Sequence, residues 1–419
     1  MSGLTEEILK KADRIRFHTP GHENAIGKDL LLCDVTELPY TDNLLSPVAE
    51  IETIEKKLAS AYRAEACFIS TQGATHNILQ AVYAVKEEGA FLIFGAAHAS
   101  VYNAMRAFSL RAYHADDFSE DMEIPSDVKT VIFTSPDYFG NCLPLEKIYP
   151  FFHKKGINVL VDSAHGAHFA FSSKLPVSAS EYADLAILSM HKTLPVLTGG
   201  SVLCCKKKYV EKCALCRKIY HTTSPSFMTM CSIEKAVETF AKNGEKYYND
   251  VLSALEKFRE KLPKPFIVEE NDDKTRLVLS SPYDGEKVYD VLTEKGFVAE
   301  MFYENKVVFI VHPYNFAYLD GLCDAVKEIK DLPSYEKVVF PRKAHPFPTP
   351  MTFGGNPEAV PLTEAEGRKA FLEIGFYPPG VPLLYSHDVL TKEHITFLSS
   401  ESARKKVFGL ENGKVYVVQ

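Results

Sequence analysis

The chain is punctuated by short runs of apolar residues, each ending abruptly in a polar one. Asn158-Val159-Leu160-Val161 runs into Asp162, and Ala183-Asp184-Leu185-Ala186-Ile187-Leu188 runs into Ser189. Runs of this kind are expected of parallel strands covered on both faces. The pattern predicts strands over Ala66–Ser70, Phe91–Phe94, Thr130–Thr134, Val159–Asp162, Leu185–Ser189 and Ser201–Cys205. Helical spacing of apolar residues predicts helices over Thr75–Lys86 and Ser100–Arg111. A further helix should open at Ser46-Pro47, with serine as N-cap and proline in the first turn, and continue through Leu58. Strands alternating with helices imply an α/β fold: a mostly parallel large-domain sheet, of seven-stranded type, with helices on both faces.

Two long helical patterns, Ser226–Lys242 and Glu245–Lys261, close this region. Beyond residue 263 the pattern changes. Arg276–Ser280, Lys306–Val311 and Lys337–Phe340 read as strands of a smaller α/β domain, followed by a proline-rich stretch from Pro341 to Pro350. The tail should carry a helix over Thr363–Ile374 and a rigid Tyr377-Pro378-Pro379-Gly380 turn. Ahead of everything, a short helix over Thr5–Arg14 and a polar stretch containing Thr19-Pro20-Gly21-His22 form an arm. The expected division is therefore an arm over 1–45, a large cofactor-binding domain over 46–262, and a small C-terminal domain with its tail over 263–419.

Composition narrows the function classes. The 419 residues are 46% hydrophobic, enough for a sizeable core. The formal charge of −8 is spread without a basic block, so nucleic acid is not an expected partner. A polar, acidic start (Met1-Ser2-Gly3-Leu4-Thr5-Glu6-Glu7) argues against a signal peptide, and no apolar stretch approaches membrane-spanning length. Nine cysteines, an odd number in a large chain, suit reduced thiols in a cytoplasmic protein better than a disulfide framework. Cys204, Cys205, Cys213 and Cys216 cluster, but the first two are adjacent on a strand and should point to opposite faces. The other two fall at helical i,i+3 spacing, so free thiols are expected there and no metal.

Candidate chemistry gathers at the strand ends. In open α/β sheets ligands sit at the carboxyl ends of the strands. Asp162 and Lys192, each just beyond a strand, can therefore meet around one ligand. A carboxylate facing a pyridinium nitrogen and a lysine forming a Schiff base are what pyridoxal 5'-phosphate (PLP) requires. The plainer reading is a buried ion pair, but that would not need Ser189 and His191 beside the lysine, whereas a phosphate would use such donors. Gly73 allows a tight turn after Ser70-Thr71-Gln72, and the amides of Ala74 and Thr75 would open a helix toward an anion. His98, after the strand Phe91–Phe94, could stack on a pyridine ring and share in proton handling. Ala164 is small enough to lie flat against the ring, and His165 can bond near it. His168 shares a face with His165, but the pair lacks a third metal ligand.

With these segments in view, the chain resembles the bacterial ornithine/lysine/arginine decarboxylases, PLP enzymes of fold type I (aspartate-aminotransferase-like). The resemblance is carried by Phe17-His18-Thr19-Pro20-Gly21-His22, Asp34-Val35-Thr36-Glu37-Leu38-Pro39, Asp162-Ser163-Ala164-His165-Gly166-Ala167-His168-Phe169 and Ser189-Met190-His191-Lys192-Thr193-Leu194. Thr222-Thr223-Ser224-Pro225-Ser226-Phe227 and Tyr377-Pro378-Pro379-Gly380-Val381-Pro382 complete it. It implies that Lys192 carries the cofactor, Asp162 pairs with the ring nitrogen, His98 stacks on the ring, and Ser189 and His191 hold the phosphate. It further implies a homodimer or higher homo-oligomer, with Thr223 reaching the neighbouring subunit's phosphate and an acidic residue of the C-terminal region recognising substrate across the interface. Glu358 is the best match for that residue. The chain departs from the family at Glu23, at Gly95-Ala96-Ala97-His98, in the phosphate turn and at Tyr385-Ser386-His387-Asp388.

The expected activity is α-decarboxylation of a basic amino acid, arginine ahead of lysine and ornithine, since compact members of the family are often arginine decarboxylases. The rivals are another fold type I activity, an aminotransferase or aldolase, and a non-catalytic relative that regulates polyamine enzymes. An aminotransferase needs an arginine to clamp the substrate carboxylate, and Arg276 and Arg342 are the candidates.

Overall fold

The computed structural model describes residues 15–17, 33–37, 41–336, 344–351, 353–376, 381–401 and 407–419. The expected Thr5–Arg14 helix, the Thr19–His22 stretch, the Lys337–Phe340 strand, Arg342 and the Tyr377–Gly380 turn lie outside the described residues.

In chain order, strand β1 (Ile15–Phe17) precedes helix α1 (Glu50–Ala61). β2 (Ala66–Ser70), α2 (Gly73–Val85), β3 (Ala90–Phe94), α3 (Ala99–Ala107), β4 (Ala112–Ala115) and β5 (Val128–Thr134) follow. Then come α4 (Leu145–His153), β6 (Asn158–Asp162), β7 (Leu185–Leu188), the single turn α5 (Met190–Thr193), β8 (Ser201–Cys205), α6 (Val210–Tyr220) and α7 (Phe227–Lys261).

The helix expected to start at Ser46-Pro47 begins instead at Glu50. Its N-terminus is held by Asp42, whose carboxylate accepts from the amides of Val48, Ala49 and Ile51 at 3.0–3.1 Å. A cap that far upstream in the chain leaves no local signature. The expected helix over Ser100–Arg111 stops at Ala107, because Ser109 turns with φ of 52° and the chain enters β4.

The central sheet has eight strands. Seven come from residues 66–205, and the eighth, β14 (Thr349–Met351), adds antiparallel to β4 at one edge. The order is β14-β4-β3-β5-β6-β7-β8-β2. β4, β3, β5, β6 and β7 run parallel, while β8 is antiparallel to both β7 and β2. Alternate residues of each strand enter opposite cores, as the period of two demands. Val131, Phe133, Val159 and Val161 pack with α1, α4 and α7, whereas Ile132 and Leu160 pack with α2 and α3. Cys204 and Cys205 divide between the same two cores, and the nine cysteines are free.

The two helices expected over Ser226–Lys242 and Glu245–Lys261 are one 35-residue helix. Gly244, between the two patterns, closely approaches the chain at Phe171: a Cβ there would lie 2.3 Å from the Phe171 carbonyl oxygen. Up to Tyr248 α7 serves the core of the central sheet; from Val251 it serves a second one. That second core lies under a four-stranded antiparallel sheet of order β12-β13-β10-β9. Its elements are β9 (Ile267–Val268), β10 (Arg276–Ser280), α8 (Gly285–Glu294), β11 (Phe297–Ala299), β12 (Met301–Tyr303), β13 (Lys306–Ile310) and α9 (Leu319–Lys327), with β11 pairing parallel to β1.

The tail forms two small sheets. One joins β15 (Pro357–Pro361) to β20 (Lys414–Val418) and β19 (Leu410–Glu411). The other joins β16 (Ile374–Phe376) to β17 (Val381–Leu384) and β18 (Val407–Phe408), with α10 (Lys392–Glu401) alongside. No helix spans Thr363–Ile374. Gly367 turns with φ of 76°, and the Ala370 amide bonds to the Asp388 carbonyl, so tertiary pairing overrides a helical pattern. Among the described residues no helix is long and apolar enough to cross a membrane, and no cluster of three or more His, Cys, Asp or Glu could hold a metal ion.

Candidate active site

Because β3, β5, β6 and β7 are parallel, their carboxyl ends open at one edge of the sheet, and a cleft of about 590 Å³ lies there. Gly73, Ala74, Thr75, His98, Asp162, Ala164, His165, Ser189, His191 and Lys192 all line it. The fold thus brings together ten of the residues read from the sequence. Thr223 and Glu358 do not line this chain's cleft. Thr223 is exposed, in a loop tied to the Gly73 turn by the Thr222 amide donating to Gln72 Oε1 at 3.0 Å. Glu358, on β15, accepts from Arg368 at 2.6 Å and is half-exposed.

Gly73 adopts φ of 76°, and its amide bonds to the carbonyl of Gly199, itself at φ of 92°. A side chain at Gly199 would strike the Thr71 carbonyl at 2.7 Å, so the Thr198-Gly199-Gly200 turn is the floor of the Gly73 turn. The first amides of α2 then face the cleft, an anion-binding arrangement. His98 caps α3, its Nδ1 accepting from the Ser100 amide at 3.2 Å, which leaves the Nε2 proton free for other work. Burial lowers its pKa, opposed by Asp162 and reinforced by Lys192. His191 is held the other way round: Nδ1 donates to the Gly200 carbonyl at 3.1 Å, and burial lowers its pKa.

Asp162 is 4% exposed, and its Oδ1 accepts from the Ala164 amide at 3.1 Å. The amine of Lys192 lies 3.0 Å from His165 Nε2 and over the Tyr138 ring. Burial lowers the Lys192 pKa; Asp162 and Glu300 oppose this, and Arg276 adds to it. Burial also pushes the His165 pKa well down, helped by the charges of Lys192 and Arg276. On the far side of His165, Arg276 Nη2 meets Nδ1 at 3.0 Å.

These donors fit PLP. A buried carboxylate suits a pyridinium nitrogen, a desolvated amine suits an aldehyde, and a helix N-terminus with Ser189 and His191 suits a phosphate. Thr134 Oγ1 adds a buried, cleft-lining hydroxyl with no partner among the described residues.

The sequence reading missed the opposite wall. Tyr138 comes from the segment after β5, while Glu300, Tyr303, Glu304 and Tyr335 come from the C-terminal half. The one signal available was Glu300 standing alone in Phe297-Val298-Ala299-Glu300-Met301-Phe302-Tyr303, an acid in an otherwise apolar and aromatic run.

The profile of the Orn/Lys/Arg decarboxylase major domain matches residues 96–309. The chain is 27% identical over 476 residues to an arginine decarboxylase of Bacillus subtilis (strain 168), covering 98% of this chain and 96% of that one. It is also 27% identical to the uncharacterized protein YaaO of the same organism, covering 91% and 90%. Among solved structures, the Francisella novicida lysine decarboxylase LdcF superposes with a TM-score of 0.73 at 16% identity, over 99% of this chain and 80% of that one.

Proposed function

The chain belongs to the Orn/Lys/Arg decarboxylase family, as a PLP-dependent decarboxylase of a basic amino acid, and from that premise we propose that arginine is its substrate and that Lys192, Asp162 and His98 do its chemistry. The observation that carries the substrate class is the cleft wall facing Lys192, which is acidic and aromatic: Glu300, Tyr303, Glu304 and Tyr335. A cationic tail gains from the carboxylates, and a planar guanidinium gains further by stacking on the rings. No arginine lines the cleft among the described residues, so nothing there clamps the substrate carboxylate as an aminotransferase would. A carboxylate left unclamped is free to depart.

Bound PLP supplies an electron sink for the pair released when the carboxylate leaves. Asp162, buried in the cleft, would hold the proton on the pyridine nitrogen. Lys192 provides the amine that carries the cofactor, and Ala164 leaves room for the ring. Ala74, Thr75, Ser189 and His191 would hold the phosphate and His98 would contact the ring, with His165 beside the Lys192 amine. Lys192 or His98 returns a proton to the α-carbon.

The site is completed by a second copy. Leu215, Ile219 and Tyr220 on α6 are 44–54% exposed, just ahead of the exposed Thr223, an apolar stripe suited to a subunit contact. In that arrangement Thr223 serves the partner's phosphate site and Glu358 the partner's substrate site. The division into an arm (1–45), a large domain (46–262) and a small domain with tail (263–419) belongs to this reading. Measuring carbon dioxide release from arginine, lysine and ornithine tests it. Arginine should be turned over fastest; turnover of lysine or ornithine alone overturns the substrate order, and release from none of the three overturns the function.

A further inference from the structure

Arg276 has no role in the chemistry set out above, yet its long side chain lies buried inside the molecule, 2% exposed. It opens β10 of the small sheet and reaches His165, just beyond β6 of the central one. A guanidinium only donates hydrogen bonds. His165 Nδ1, 3.0 Å from Arg276 Nη2, must therefore present a lone pair. A neutral imidazole with a bare Nδ1 carries its proton on Nε2. That Nε2 lies 3.0 Å from Lys192 Nζ, so its N–H needs a lone pair on the amine, which the neutral amine has and the ammonium lacks.

We propose that Arg276 is a positioning residue: by donating to His165 Nδ1 it places the imidazole proton on Nε2, and that N–H holds Lys192 as a free, nucleophilic amine. The inference rests on the reading that Lys192 carries the cofactor. Asp273, fully buried, feels the guanidinium charge without pairing with it, and is itself held by Thr275, whose hydroxyl donates at 2.6 Å, and by His168 Nε2 at 3.3 Å. The other charges facing Lys192 divide. Asp162 and Glu300 favour the ammonium, while burial and Arg276 favour the amine; His98 and His191 complete its titratable surroundings. With opposing charges present, one well-placed N–H donor is enough to tilt the balance. Arg276 so engaged stands behind the cleft wall, which removes it as a carboxylate clamp.

Two measurements on the full chain test this. Nitrogen NMR of the cofactor-free protein, labelled in histidine and assigned with His165→Gln, reads the tautomer directly. The pH dependence of the rate at which added PLP develops its visible band reads the amine. In the wild type, His165 should carry its proton on Nε2. In Arg276→Met the tautomer should change, and the rate profile should move up by about one pH unit, the size of one hydrogen bond to the neutral amine. Arg276→Lys should recover part of the shift. Because Arg276→Met removes a buried positive charge that Asp273 feels, Arg276→Met with Asp273→Asn is the charge-balanced control. A proton on Nδ1 in the wild type, or an unchanged tautomer and profile in a folded variant, overturns the proposal. A wild-type chain that develops no band sinks the Lys192 reading instead and leaves the tautomer result standing.

Discussion

At the scale of single residues, the proposed chemistry rests on side chains that the parallel strands deliver to one cleft. Asp162, Lys192 and His98 each follow an apolar run, so their convergence could be read before any coordinates. Glu300 and Arg276 could not, because they come from the small-sheet region far along the chain, Arg276 being 111 residues beyond His165. Lys192→Ala should abolish the cofactor's visible absorption and turnover together; survival of both in that variant would remove the assignment. Asp162→Ala should slow turnover roughly a hundredfold or more, as expected for a lost electrostatic partner, while Asp162→Glu should retain far more. Steady-state rates with cofactor saturation checked by absorbance decide this. A third residue speaks to pH. His76 is buried against the His221 ring, and burial first, then the charges of His221 and Arg217, push its pKa down to about 3. The unfolded chain takes up that proton first as pH falls through about 6.5. Stability should therefore decline from there to about pH 3, by on the order of a few kcal/mol. Denaturant midpoints for His76→Phe should show a shallower decline over the same window.

At the scale of elements, local pattern succeeded for strands and faltered where distant chain intervened. β2, β8 and β10 have the bounds that their apolar runs predict. β4 escaped notice because Ala112-Tyr113-His114-Ala115 is short and has no apolar run. The start of α1 was misplaced because its cap, Asp42, lies outside the local motif. Asp42→Ala should cost about 1 kcal/mol in chemical denaturation, the ordinary value of a lost N-cap, with the cleft residues undisturbed. Gly244 shows which effect wins when two oppose. Alanine would favour the helix by about 1 kcal/mol, but the Cβ would meet the Phe171 carbonyl at 2.3 Å. Overpacking of that kind costs about 1–3 kcal/mol, so Gly244→Ala should lower the midpoint, and a raised midpoint would show that the Phe171 segment yields.

At the scale of the whole molecule, the reading of two chains sharing each site has a direct consequence. If Glu358 serves the partner's cleft, Lys192→Ala and Glu358→Ala mixed in equal amounts should recover about a quarter of wild-type activity, since half the dimers are mixed and each has one intact site. No recovery, with subunit exchange confirmed, would place Glu358 elsewhere. A last consequence follows from β14. At one edge of the strands contributed by residues 66–205 lies β4, whose open side pairs, among the described residues, with Thr349-Pro350-Met351, carried back from near the C-terminus. An uncovered strand recruits other chains, and a three-residue strand interrupted by proline is a poor template for further growth. The C-terminal third therefore also guards against self-association. A chain ending at residue 336 would present β4 bare, and should form aggregates in light scattering even where its two inner cores remain folded.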